Sequence, residues 1–190
     1  KGYMIPPGLS FIAMSQKAWD AAEKSNLPKF YLNLKSYRKS LLNNSNPYTP
    51  AVNLVFALDE ALKMMRAEGL DNIFLRHAKH KLAISKAVKA LNLELFADEN
   101  YLSPSITAIK TGKINAEEFR KTVKNKFDIL LAGGQDHLKG KIFRVGHLGY
   151  VNDRDIITVI SAISIALLDL GEITSKEAGE ALVKASKYLK

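Results

Sequence analysis

The strongest constraint on the fold is an alternation of two kinds of apolar segment beyond residue 70. Long segments carry apolar side chains at helical spacing, and short ones are apolar runs of strand length between turn residues. Residues 71–91 place Ile73, Phe74, His77, Leu82, Ile84, Ala87, Val88 and Leu91 along one helix, which Asp71 is expected to cap and which reads as a bridge between two domains. Residues 93–96, 105–110, 127–132 and 141–145 read as strands. Asn115 caps a helix to about residue 126, with Glu117 and Glu118 in the first turn, where the helix dipole favours anions. Asn152 or Asp153 caps a helix to Leu170, and Thr174 with Glu177 forms a capping box for the last one. The order from about residue 74 is ααββαββαα, a small α/β sandwich with helices on a mostly antiparallel sheet.

The front reads differently. Lys1-Gly2-Tyr3-Met4-Ile5-Pro6-Pro7-Gly8 is a loop, because a Pro-Pro-Gly run continues neither a helix nor a central strand. Residues 9–14 read as a short strand, Ser15 caps a helix to about residue 25, and residues 29–42 include a further helix. Asn43 to Pro50 is a polar loop bracketed by prolines. A strong helix follows over residues 51–68 and Gly69 stops it. There is no internal repeat. The sequence opens on Lys rather than Met and has no signal-peptide pattern, so it reads as a piece of something longer, cut at its front.

Composition removes several classes. The 190 residues include no cysteine, so they carry no disulfide, zinc–thiolate or iron–sulfur ligand and no cysteine nucleophile. The net charge is +9, but the lysines are scattered rather than blocked and no aromatic residues alternate with them as stacking platforms, so no nucleic-acid partner is expected. The longest apolar run, residues 156–168, is broken by Thr158, Ser161 and Ser164 and is shorter than the about 20 residues a spanning helix needs, so no membrane partner is expected either. His77 and His80 read as surface or packing residues and His147 as a packed one.

Chemistry concentrates at three places. Lys1 offers an amine beside a glycine and a proline loop. Tyr48 and Thr49 offer hydroxyls in the proline-bracketed loop. Arg144 lies mid-strand within Lys141-Ile142-Phe143-Arg144-Val145-Gly146-His147-Leu148-Gly149, after the Gly133-Gly134-Gln135 turn. Alternation puts Arg144 on the face opposite Phe143 and Val145. A guanidinium there needs an anion or water, because an unpaired charge in a core is very costly. Residue type alone leaves open a local salt bridge or a ligand carboxylate, which a guanidinium fork matches in two-pronged fashion.

Together these segments resemble one family. Lys1-Gly2-Tyr3-Met4-Ile5-Pro6-Pro7-Gly8-Leu9 is similar to the stretch that begins at the Schiff-base lysine of class V pyridoxal-phosphate aminotransferases, in the serine– or alanine–glyoxylate branch. Phe143-Arg144-Val145-Gly146-His147-Leu148-Gly149 resembles that family's carboxylate-binding strand, and Asn46-Pro47-Tyr48-Thr49-Pro50-Ala51-Val52 its interfacial loop. Leu70-Asp71-Asn72 between the two long helices matches as well. The likeness runs in order to about Leu170 and extends to cyanobacterial members labelled soluble hydrogenase small subunit. Hydrogen-splitting metal sites rest on cysteine thiolates, so that label is set aside for catalysis.

The resemblance implies the α/β architecture of a fold-type I pyridoxal-phosphate transferase, C-terminal half only. Residues 1–73 would be the end of the large cofactor-binding domain and the start of the bridging helix, and 74–190 the small C-terminal domain. It implies pyridoxal 5'-phosphate as cofactor, held by Lys1, with Thr49 on its phosphate from across a homodimer interface and Tyr48 as a weaker contact. Arg144 would bind the substrate carboxylate. The activity implied is transfer of an amino group from a small amino acid, serine or alanine, to glyoxylate or a similar 2-oxo acid, in a cytoplasmic enzyme with a shared active site. The cofactor's other contacts would lie ahead of Lys1, so the stretch alone is expected to be inactive. A lyase or desulfurase on the same fold is a related reading, though a desulfurase needs a mobile cysteine. The other class is a non-catalytic partner subunit that keeps the fold.

Overall fold

A computed structural model describes residues 2–189. They form two compact units, Ile5–Leu62 in one, and residues 2–4 with those after Leu62 in the other.

Within the first unit lie α1 (Gln16–Lys24), α2 (Leu34–Leu41) and the start of α3 (Val52–Glu68). Ser15 caps α1 as expected, its hydroxyl accepting from the Ala18 amide. A Lys35–Glu23 ion pair of 2.6 Å and the Arg38 guanidinium 4.7 Å above the Trp19 ring join α2 to α1. Residues 9–14 form no strand. The unit holds only helices and loops, so nothing presents a ladder edge to pair with, and Phe11 and Ile12 stay exposed. Neither α1 nor α2 buries a residue, and Leu27, Phe30, Leu32, Leu41, Leu42 and Phe56 are exposed.

The second unit contains a four-stranded sheet, covered on one face by helices. Its strands are β1 (Glu94–Leu95), β2 (Ile106–Lys110), β3 (Ala132–Gly133) and β4 (Ile142–Gly146), in spatial order β1-β2-β4-β3 with every pair antiparallel. The helices are α4 (Leu70–Ala90), α5 (Ala116–Phe127), α6 (Asp153–Asp169) and α7 (Ser175–Ser186). Leu95, Ile109, Phe143 and Val145 point to the helices and are buried, with Phe143 and Phe119 of α5 in ring contact at 5.1 Å. Ile84, Ala87 and Val88 of α4, Ile156, Ile160, Ile163 and Leu167 of α6, and Ala181 and Ala185 of α7 recur every three or four residues and complete this core.

Element boundaries differ from the sequence expectation at two places. Gly69, not Asp71, precedes α4; its φ of 84° makes a one-residue corner after α3, and Asp71 falls in the first turn. Helix α5 extends to Phe127, where Asp128 at φ 55° caps it, so β3 keeps only Ala132–Gly133. Side chains at Asn152 and Thr174 form complete capping boxes with Asp155 and Glu177, as their spacing indicates.

Candidate functional site

Arg144 occupies the middle of β4, on the face turned away from the core. Its cross-strand neighbours are Ala108 on β2 and Ala132 on β3. Neither side chain extends beyond a methyl, so the arginine stem has no tall neighbour directly across either ladder. The Nε of Arg144 donates to the Gly133 carbonyl at 2.8 Å. Among the described residues no carboxylate pairs with Arg144, and neither Nη group has a protein acceptor. The local salt bridge that the sequence left open is therefore not formed. One edge of the guanidinium is fixed by backbone, and the Nη1/Nη2 edge can donate to a carboxylate in two-pronged geometry.

The turn before Arg144 is tightly built. A Cβ at Gly133 would lie 2.4 Å from Arg120 Nη1 and 2.7 Å from Glu117 Oε1, and one at Gly134 would lie 2.1 Å from the Leu138 carbonyl oxygen. Arg120 donates from Nε to the Leu131 carbonyl at 2.7 Å and from Nη1 to Glu117 at 2.7 Å. Sequence reading singled out the glycine pair but not Arg120. A lone arginine on an amphipathic helix carries no signal of what its tip reaches.

Beyond β4, His147 is fully buried and its Nε2 lies 2.9 Å from the Thr107 hydroxyl. Burial pushes its pKa down to about 4, so the ring is neutral at physiological pH. It is a packed histidine, as expected. His80 is a correction to the surface alternative: it is fully buried on α4, with Nε2 2.9 Å from Asp153 Oδ1. Desolvation lowers its pKa against the opposing pull of Asp153. Among the described residues no group of three His, Cys, Asp or Glu side chains is placed to hold a metal.

Tyr48 and Thr49 lie in the first unit. Tyr48 donates its hydroxyl to the Phe30 carbonyl at 3.2 Å, and its ring lies 4.8 Å from Tyr31, 5.7 Å from Phe30 and 6.1 Å from Tyr37. The exposed Thr49 hydroxyl has no hydrogen-bond partner among the described residues, and it stands just before α3, whose first turn carries no acidic residue. Two of the first three α3 amides, those of Val52 and Leu54, already donate to the Pro50 and Ala51 carbonyls at 2.9 and 3.0 Å, so the Thr49 hydroxyl is the donor this end offers a phosphate group. Lys1 lies outside the described residues.

Comparison with known proteins gives this arrangement a family. No family model matches the chain. It is 52% identical over 189 residues to the "Soluble hydrogenase, small subunit" of Synechococcus sp. (strain PCC 6716), covering 100% of this chain and 49% of the relative. It is 32% identical over 197 residues to the "Serine--glyoxylate aminotransferase" of Methylorubrum extorquens, covering 100% of this chain and 48% of the relative. The crystal structure of ureidoglycine–glyoxylate aminotransferase from Bacillus subtilis superposes with a TM-score of 0.89 at 27% identity, over 98% of this chain and 50% of that one. The chain belongs to the class V aminotransferase family. It matches the C-terminal half of these aminotransferases and spans about half the length of the curated relatives it matches. The fold is consistent with the C-terminal part of the α/β fold of pyridoxal-phosphate transferases.

Proposed function

We propose that the protein containing this chain is a pyridoxal-phosphate-dependent aminotransferase that moves the amino group of a small amino acid, serine or alanine, to glyoxylate or a similar 2-oxo acid. The supporting observation is the Arg144 guanidinium, held by one edge to a backbone carbonyl and lacking any carboxylate partner among the described residues. In this reading Arg144 clamps the α-carboxylate of amino acid and 2-oxo acid in turn, which fixes substrate class and orients the α-carbon. Residues 1–73 belong to the cofactor-binding domain and 74–190 form the small domain. The rest of the protein and a second copy, in a homodimer with shared active sites, cover the exposed apolar side chains of the first unit. The setting is cytoplasmic; among the described residues no helix is long and apolar enough to cross a membrane.

The residues present suit the cofactor. Lys1 would hold it through its ε-amine, and Thr49 would donate to its phosphate. Tyr48 is the weaker contact, because its hydroxyl already donates to the Phe30 carbonyl. Bound there, pyridoxal phosphate supplies an electron sink for the pair of electrons left when the α-proton departs. The Lys1 ε-amine, in its neutral form, would take the proton from the substrate α-carbon and deliver it to the carbon of the cofactor that carried the aldehyde. The hydrogenase in a relative's name belongs to that relative; these 190 residues hold no cysteine thiolate for a hydrogen-splitting metal.

The test uses the whole protein. A panel of amino acids is added singly, and the cofactor's visible absorbance is followed. Serine or alanine should bleach the starting band, and Lys1→Ala should abolish covalent cofactor retention. Activity that persists unchanged in Lys1→Ala would favour a non-catalytic subunit that keeps the fold.

A further inference from the structure

The grip on Arg144 is itself held from behind. Arg120 on α5 donates from Nε to the Leu131 carbonyl, and its Nη1 donates to Glu117 Oε2, each at 2.7 Å. Leu131 is buried and stands immediately before β3. A Cβ at Gly133 would lie 2.4 Å from Arg120 Nη1 and 2.7 Å from Glu117 Oε1, so a side chain there would have to push these tips aside. The Gly133 carbonyl then accepts the Nε hydrogen of Arg144. Strand β3 is only two residues long, Ala132–Gly133, and lies at the sheet edge. Two ladder positions fix an edge strand weakly, so the Arg120 tether supplies what the ladder lacks.

We infer that Arg120 and Gly133 are positioning residues for the substrate carboxylate, acting through Arg144. Arg120 sets where β3 runs, and the Gly133 carbonyl occupies the Nε edge of Arg144, so that the Nη1/Nη2 edge alone is presented to the carboxylate. Glycine at 133 leaves room for the Arg120 tip, which a side chain there would displace. The two positions are therefore one device: Gly133→Ala should act by expelling the Arg120 guanidinium, and loss of Arg120 should mimic it. This inference rests on the reading of Arg144 as the carboxylate-binding group.

The experiment compares Arg120→Met, Gly133→Ala, the double variant and Arg144→Lys in the whole protein. Arg120→Met and Gly133→Ala should each raise KM for amino acid and 2-oxo acid by about tenfold to a hundredfold, the scale of a misplaced binding group. Most of the loss should fall on KM, as for lost binding shared by ground and transition states, with a smaller fall in kcat from the less well oriented α-carbon. The double variant should be no worse than the worse single one, because both remove the same tether. A second measurement needs no substitution and no turnover. The Nε–H of Arg144 should exchange with solvent more slowly than that of exposed Arg154 in the nitrogen-15 NMR spectrum, and Arg120→Met should remove the difference. If Arg144→Lys raises KM while Arg120→Met and Gly133→Ala do not, the positioning role is overturned and the reading of Arg144 survives. If Arg144→Lys leaves KM unchanged, both fall. If the Nε–H of Arg144 exchanges as fast as that of Arg154, the positioning role is overturned whatever the kinetics show.

Discussion

Arg76 and Glu68 meet in a two-pronged ion pair, Nε to Oε1 at 2.6 Å and Nη2 to Oε2 at 2.9 Å, across the corner that Gly69 makes between α3 and α4. The Nη1 of the same arginine donates to the carbonyls of Gly149 and Val151, at 3.0 and 2.8 Å. One side chain thus fastens the helix corner to the loop that follows the Arg144 strand. Its ionised partner explains why the Glu68 carboxyl is held below the usual carboxylate range.

Arg76→Met should therefore lower unfolding free energy by about 2 kcal/mol, because it leaves two carbonyls and a carboxylate without their donor. Glu68→Gln keeps the carbonyl contacts and should cost about 1 kcal/mol. Urea denaturation with unchanged slope checks both. The contribution of Glu68 carries a sign: its folded pKa is depressed, so the stabilisation is present above the ordinary value of 4.5 and is lost as pH falls below it.

Buried histidine gives a second pH dependence at higher pH. His147 has a folded pKa of about 4 against an ordinary 6.5, so between those values the unfolded chain binds a proton that the folded one refuses. Stability should be complete above pH 6.5 and fall as pH drops toward 4, by at most about 3 kcal/mol. His80, also buried, moves in the same direction and adds to the slope, with Asp153 opposing. Melting temperatures of the unsubstituted protein and of His147→Gln between pH 7 and 5 test this. The substituted protein should show a shallower fall; an equal fall would assign the pH dependence elsewhere.

The small domain was legible because its signals are local. Asn115, Asn152 and Thr174 cap the helices that their spacing announces, and Arg144 faces away from Phe143 and Val145 as strand alternation requires. The misreadings share a cause. An apolar run says that side chains will be buried without saying whether a partner strand exists, so residues 9–14 were expected as a strand where no sheet is near in their unit. Likewise Phe127 and Leu131 are both packed inward, but the left-handed Asp128 ends α5 after Phe127, and Leu131 lies in the segment that leads into β3. At the site, Arg144 stood out by being a charge in an apolar strand. Arg120, Arg76 and the buried His80–Asp153 contact did not, because each depends on a partner distant in sequence or on backbone carbonyls, which sequence does not display.

Two glycine positions of the second unit, Gly134 and Gly112, should respond differently to alanine. At Gly134 a Cβ would lie 2.1 Å from the Leu138 carbonyl oxygen and 3.0 Å from the Ile142 side chain, so backbone must shift and the cost should be about 3 kcal/mol. At Gly112 the space is open and only the φ of +60° resists a side chain, which should cost about 1 kcal/mol. Chemical denaturation of the two variants gives the comparison. Equal losses would mean that the Gly134 turn relaxes freely, which its contacts with Leu138 and Ile142 do not suggest.

Helix α6 offers the most local test. The Asn152 side chain accepts from the amides of Arg154 at 2.9 Å and Asp155 at 3.2 Å, while Asp155 returns a carboxylate oxygen to the Asn152 amide at 2.8 Å. These bonds satisfy amides that no earlier turn of helix can reach. Asn152→Ala should therefore cost about 1 kcal/mol, whereas Asn152→Asp keeps an accepting oxygen and places a negative charge at the positive end of the helix, so its cost should be near zero. The Asp variant should also lose ground as its carboxylate is protonated in acid. If the alanine and aspartate variants melt together at neutral pH, the cap does not fix the start of α6, and packing of Ile156 and Ile160 against the core must do so instead.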